Sequence, residues 1–542
     1  YSDEGDYTIQ ATGVWEKVVR TFGSLTNDDA SVRVRLKTTA SSVHVDDLSL
    51  VLTSNAELIT PRSAITTSIT SDEAGNWEDG TTWVGGVAPD SHKIDVTLDH
   101  VVDLSSAVKV NDLTIGSAGK LRINSSRSIS IANNLTISNT AVNSITVKAG
   151  NLGPGLIKIG GTYGPTGNRV YFNHKMASAS YNQKWILIGS PLEDATIDNF
   201  ITNSTSVVTN GGRSAFAPYD DALSAGSKYT YVANPYSGTD SFVDGKGYTT
   251  QLDATGTTPP TLQFRGKLQD TSPVEIAISS GGNGFNLVGN PYSTWLFANK
   301  STTSATNNLL TANTSVLAEE TIWIWDSLNS TFITKNQDDA AFRIAPTQGF
   351  FIKSASGGGN FSFAENMQTL TSQTYYKNSN TNTRFEINLF ASTNDFQKNT
   401  TVRYINNRTT SFDNGSDSSL FGNDHLLIYT ELVENNTGKK LAIQALPNSN
   451  FENMVIPVGV SVSEGSEITF SADALNIPEN YKVYLEDKIT NIVTRLDEAN
   501  SEYIAFIESG NTNGRFYIHT KTSSPLITDT NNLDTISMFI TG

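Results

Sequence analysis

An all-β, multi-domain protein is what this sequence predicts, and three observations carry the prediction. Short apolar runs alternate at period two along most of the chain, the pattern of half-buried strands. Gly, Asn, Ser and Thr fill the intervals between the runs, as tight turns require. Two kinds of internal repeat are present, one near 20 residues and one near 100, and fixed periods of this sort mark stacked or tandem units. A chain of 542 residues also exceeds what one hydrophobic core usually serves.

Residues 1–53 hold "ASVRVRLKTT" and "SSVHVDDLSLVL", in which Val32, Val34 and Leu36, then Val43, Val45 and Leu48, alternate as strands do. This segment resembles the C-terminal half of a carbohydrate-binding jelly roll, and Trp15 is its one tryptophan. Trp15 is therefore a candidate sugar contact, with a buried core tryptophan as the competing reading. In jelly rolls "VDDLS" lies beside a structural calcium, which makes Asp46 and Asp47 candidate ligands; alternation alone also explains Val45 and Leu48.

Residues 71–172 read as a short parallel β-solenoid. Leu113 in "NDLTI", Leu135 in "NNLTI" and Leu156 in "LIKI" follow one another at 22 and 21 residues, as if each rung buried its apolar triplet on the next. Trp77 and Trp83 of "GNWEDGTTWVGGVAPD" then cap the open end of the stack, or form a sugar-stacking pair.

Two tandem β repeats follow, at 174–273 and 274–373. "WILIGSP" from Trp185 aligns with "FNLVGNP" from Phe285, "GYTTQL" from Gly247 with "GFFIKS" from Gly349, and "YTYV" from Tyr229 with "WIWD" from Trp323. In "GFNLVGNPYS", Gly284 to Ser293, the apolar run makes a strand, Gly289 allows positive φ or close backbone approach, and Pro291 ends ladder pairing. A further "NPY" at Asn234 to Tyr236 has the same form. The motif is thus a strand terminator. Tyr292 alone keeps a claim to carbohydrate binding, because Leu192 stands at the matching place in the first repeat.

Nine alternating segments between 383 and 520, from "FEINLF" to "GRFYIHT", describe a β-sandwich. Residues 521–542 read as a linker and the first strand of a further, truncated domain.

Composition excludes several functions. Net charge is −17, with no cluster of Lys and Arg, so nucleic acid is not an expected partner. No cysteine is present, hence no disulfide framework, thiolate zinc site or cysteine nucleophile. No apolar stretch reaches the roughly 18 residues of a membrane span. The six histidines are scattered, without an HExxH pair, and no nucleophile elbow, Walker loop or dinucleotide turn occurs. No catalytic residue is assigned, although paired carboxylates for glycoside cleavage need no local motif. In "SFDNGSDSSL", Asp413 and Asp417 flank a Gly turn and are candidate calcium ligands, with an ordinary Asx-rich turn as the alternative. Calcium is the one cofactor expected, if any.

Taken in order, "GNWEDGTTWVGGVAPD", the "GSP" and "GNPYS" units, "APTQGFFIKS", "SFDNGSDSSL", "VYLEDKITN" and "GRFYIHT" resemble the exported surface proteins of gliding and polysaccharide-degrading Bacteroidota that use the type IX secretion system. The resemblance covers most of residues 71–542. It implies an extracellular or outer-membrane surface location, with the outer-membrane translocon and its shuttle proteins as partners and surface glycans as ligands. It implies that 521–542 begins a sorting domain. It also implies O-glycosylation at Asp-Ser/Thr-apolar sites, here Ser327 and Thr535. The expected function is a non-catalytic adhesin or structural protein. The alternatives are an accessory region of a secreted polysaccharide-degrading enzyme, or a subunit of a surface polymer assembled by strand exchange.

Overall fold

A computed structural model of the chain describes residues 68–524 apart from 151, 165–166, 301–303, 374–382 and 423. The chain divides into two compact units, Tyr1–Thr66 and Thr67–Gly542, and every described residue lies in the second. The jelly-roll segment with Trp15, Asp46 and Asp47, and the terminal segment with Thr535, fall outside the described residues. What is described is all-β: strands are short and numerous, and the longer of two α-helices covers only Ile197–Asn203. Among the described residues no helix is long and apolar enough to cross a membrane.

The first part is a three-faced parallel solenoid. One face stacks Ser68–Thr70, Asp95–Leu98, Leu113–Ile115 and Leu135–Ile137. A second stacks Gly75–Asn76, Val101–Leu104, Lys120–Ile123, Ile145–Val147 and Val170–Lys175. The third stacks Ala107–Val110, Ser128–Ile131 and Leu156–Ile159. Parallel register puts like on like: Leu113 lies over Leu135 and Val110 over Ile131, all buried. The corners carry asparagine, because a side-chain amide bonds the turn above and below: Asn133 Nδ2 donates to Asn111 Oδ1 at 2.9 Å, and Asn111 Nδ2 to Asp95 at 2.7 Å. Leu156 does not continue the Leu113–Leu135 column. It belongs to the third face, opposite Ser128, and Tyr163 takes the place beside Leu135. A constant sequence interval counts residues, whereas the stack counts turns, and a longer corner shifts the count by one face.

Trp77 and Trp83 close the first turn edge to face, ring centres 4.8 Å apart and both buried. Their indole N–H groups donate to the carbonyls of Pro89 and Trp77. Burial removes them as a sugar platform. At the other end, Val170–Lys175 pairs in parallel with Ile145–Val147 and antiparallel with Thr261–Gly266. This strand crosses the expected boundary near residue 173, so solenoid and first repeat share a sheet and one hydrophobic core.

Each repeat sets one antiparallel strand pair, which in the first repeat continues the solenoid's sheet, against a second antiparallel sheet. Val170–Lys175 with Thr261–Gly266 corresponds to Val274–Ile278 with Gly359–Phe363. Trp185–Gly189 with Gly247–Gln251 corresponds to Phe285–Gly289 with Gly349–Lys353. In both sheets glycine stands opposite glycine, 189 against 247 and 289 against 349. The third strand corrects the alignment of "YTYV" with "WIWD". Ala217 of Phe216–Pro218 faces Thr249 as Trp323 faces Phe351, so "APYD" from Ala217 holds the place of "WIWD". Tyr229 bridges Tyr219 one position further out, where Thr331–Asn336 runs in the second repeat.

The two repeats meet through their glycines, and the contacts are reciprocal. A methyl built on Gly189 would lie 2.6 Å from Cα of Gly289, and one on Gly289 would lie 2.6 Å from Cα of Gly189. Gly189 N–H donates to Thr347 O and Gly289 N–H to Gly245 O. Close approach, not positive φ, is why glycine stands here; neither residue is left-handed. His174 Nδ1 adds a buried bond to Thr347 Oγ1 at 2.6 Å.

All nine strands expected between 383 and 520 form, joined in one continuous sheet that folds over its own core. Neighbours are antiparallel except Gln397–Ile405 with Leu441–Pro447. The sheet ends are tied by side chains: Asp487 accepts from Tyr503 at 2.7 Å and Arg515 Nη2 at 2.8 Å, while Arg515 Nη1 reaches Phe506 O at 2.9 Å.

Two outcomes follow from the repeat junction. Gly189→Ala and Gly289→Ala each force backbone apart and destabilise the chain by about 1–3 kcal/mol, read as a lowered midpoint in thermal or urea unfolding. Burial holds His174 down to about 4, so the folded chain binds this proton less readily than the unfolded one. Its stabilising contribution is complete above about pH 6.5 and is lost as the pH falls through 4, roughly 3 kcal/mol in all. The difference in unfolding free energy between the parent and His174→Gln should shrink over that window.

Candidate functional site

In the strand Thr321–Asp326 alternate side chains face opposite ways. Ile322 and Ile324 enter the core of the second repeat, whereas Trp323 and Trp325 point to its other face. Trp325 stands opposite Phe332, ring centres 4.9 Å apart. From there an aromatic chain crosses into the first repeat: Phe332 to Phe351 at 5.7 Å, Phe351 to Tyr219 at 4.8 Å, Tyr219 to Tyr229 at 5.1 Å. Tyr229 leads to Tyr231 at 6.5 Å and Tyr231 to Trp185 at 5.6 Å. Trp325 closes the loop by donating its indole N–H to Trp185 O at 2.9 Å. Phe351 is the buried centre of the belt; Phe332, Tyr219, Tyr229, Tyr231 and Trp325 are half-buried, and Trp185 is 36% exposed.

Asp221 fixes the belt to the second repeat. One oxygen accepts from Tyr219 Oη at 2.6 Å and from Lys228 Nζ; the other accepts from the backbone N–H of Asn283 at 2.6 Å and of Phe285 at 3.2 Å. Burial opposes this charge, but the Lys228 ammonium, the Tyr219 hydroxyl and the two amides hold the carboxyl below its ordinary range.

At Phe332 and Phe421, 4.6 Å apart, the belt meets a cleft of about 360 Å³ between the second repeat and the sandwich. Its repeat wall includes Thr331–Lys335 and Arg343, and its sandwich wall Asn388, Lys398 and Thr401. Two carboxylates line it. Glu386 Oε2 lies 3.2 Å from Arg384 and 3.4 Å from Arg403, and Asp424 pairs with Lys398 at 2.6 Å. Both carboxylates are thus ion-paired with basic side chains of the sandwich. A second hollow, of about 430 Å³, lies in the first repeat. Tyr236 of the extra "NPY" lines it and donates to Asp240 at 2.8 Å.

The residues singled out in sequence are placed elsewhere. Tyr292 is buried, donates to Phe363 O at 2.8 Å and accepts no solvent contact of use to a sugar; Leu192, its counterpart, is equally buried. It is a core residue. The expected calcium turn spends its carboxylates on amides. Asp413 accepts from Thr409 N–H at 2.6 Å, and Asp417 accepts from Asp413 N–H and Ala445 N–H, both at 2.6 Å. Burial pushes Asp417 up to about 7 against the pull of those amides. Among the described residues no three His, Asp or Glu gather as a metal site. Ser327 is buried in its hairpin turn, which leaves no room for a glycan in this fold. The open rim, Trp185, Tyr231 and Trp325, was present in the quoted segments "WILIGSP", "YTYV" and "WIWD" but carried no positional signal. Tyr292→Phe should lower stability by about 1–2 kcal/mol, since it orphans a buried carbonyl; glycan titration of the same variant should match the parent.

The profile described as "Domain of unknown function (DUF8693)" matches residues 69–519. No curated protein and no solved structure matches the chain. The match takes in the solenoid, both repeats and all but the last residues of the sandwich, and the chain belongs to the family described as domain of unknown function DUF8693.

Proposed function

We propose that this chain is a non-catalytic, exported surface protein that binds glycans along the aromatic belt and the cleft it leads to. Trp185 is the observation that carries the reading. It is a large ring left open at the rim of a rigid β scaffold, beside Tyr231 and bonded through its carbonyl to Trp325. Aromatic faces of this kind stack on the C–H face of a sugar while hydroxyl and amide groups nearby fix its orientation. Export through the type IX translocon, and a place on the cell surface, rest on the sequence resemblance. The same surface serves a free-standing adhesin or the accessory region of a polysaccharide-degrading enzyme.

Calorimetric titration of the chain with oligosaccharides, after an array screen, tests the reading. Trp185→Ala should weaken binding tenfold or more, about 1.4 kcal/mol, in a variant whose circular dichroism spectrum still shows the parent's β fold. A parent that binds no glycan, or a variant that binds as well as the parent, overturns it.

A further inference from the structure

Four cations line the cleft: Lys335, Arg343, Lys398 and Arg403. Three have carboxylate partners within the chain. Lys335 lies 3.4 Å from Asp339, Lys398 2.6 Å from Asp424, and Arg403 2.9 Å from Asp339 and 3.4 Å from Glu386. Arg343 has no carboxylate partner among the described residues. Its backbone is held in place, by pairing with Phe297 and by its N–H donating to Gln373 Oε1 at 2.9 Å. Its guanidinium carbon lies 5.3 Å from the centre of the Phe297 ring, and its Nε is buried without a hydrogen-bond acceptor. The Nε is enclosed, whereas the two Nη groups make no hydrogen bond to the described residues and are not enclosed, and that end of the guanidinium matches a carboxylate in two parallel hydrogen bonds.

We propose that the cleft takes a carboxylate-bearing sugar, a uronic acid unit of an acidic polysaccharide, and that Arg343 receives its carboxylate. The inference rests on the glycan-binding reading and names the substrate class of that site. Phe332 and Phe421 supply stacking faces continuous with the belt, and Thr331, Thr334 and Asn399 supply polar groups along the same walls. A volume of about 360 Å³ suits a short stretch of sugar rather than a folded partner. The chain's net charge of −17 opposes an acidic polymer at long range. At physiological salt that repulsion is screened within about 8 Å, whereas a contact inside the cleft is screened far less. A local unpaired cation is therefore what decides whether an acidic ligand is accepted.

The test is calorimetric titration of the full chain with a galacturonate tetramer, its methyl ester and a sulfated tetrasaccharide. The ester keeps the shape and removes the charge. The parent should bind the acid at least tenfold more tightly than the ester. Arg343→Gln should abolish the preference for the acid over the ester, and Arg343→Lys should restore part of it. Equal binding of acid and ester by the parent overturns the inference without reference to any variant, and leaves the glycan reading standing. A preference that survives in Arg343→Gln, or tighter binding of the sulfated chain, also overturns it. Binding of none of the three, with none on the array, removes the glycan reading itself.

Discussion

The contact between Gly189 and Gly289 sets the spacing on which the middle of this molecule depends. A side chain at either position would collide with backbone, and backbone cannot move aside without breaking ladders on both sides. With hydrogen at both positions the two repeat sheets touch, and the reciprocal bonds from Gly189 to Thr347 and from Gly289 to Gly245 become possible. Pseudo-symmetry follows from this contact, because two copies of one unit that meet at equivalent residues satisfy each other's backbone in the same way.

The spacing has two consequences. It brings Tyr219 of the first repeat against Phe351 of the second, so an aromatic belt forms that neither repeat contains alone. It also places the edge strand Thr331–Asn336 beside the sandwich, where the cleft opens. On the other side, the first repeat is fixed to the solenoid through Val170–Lys175, which serves both sheets. Solenoid and first repeat thus pack as one body in which apolar burial is continuous.

Polar groups hold the junctions where apolar packing cannot specify register. Asp221 binds two amides of the turn that begins the second repeat's main strand, and His174 reaches Thr347. In the sandwich, Asp417 and the Asp487–Arg515–Tyr503 set do the same for a buried turn and for the ends of the sheet. Each is buried or nearly so, and each is satisfied by named partners, as buried polar groups must be if they are not to cost stability. Arg343 and Arg403 each bury an Nε without a hydrogen-bond acceptor in the cleft, and of the two Arg343 also lacks a carboxylate partner among the described residues.

The sequence by itself determined the all-β class, the solenoid, the duplication and the nine sandwich strands, because period-two alternation and turn chemistry act locally and survive in linear order. It also identified "GNP" as the end of a strand. Only the tertiary structure decided that Gly289 is needed for close approach, that Leu156 belongs to another face than Leu135, and that "APYD" rather than "YTYV" is the counterpart of "WIWD". Those facts depend on corner lengths and on which copy a surface meets. The same reason moved the candidate site. Tyr292 was conspicuous as a difference between aligned repeats, yet it fills a core, whereas Trp185, Tyr231, Trp325 and Arg343 come from four separate strands or turns. Exposure and the lack of an ion partner are properties of packing, and no local pattern encodes them.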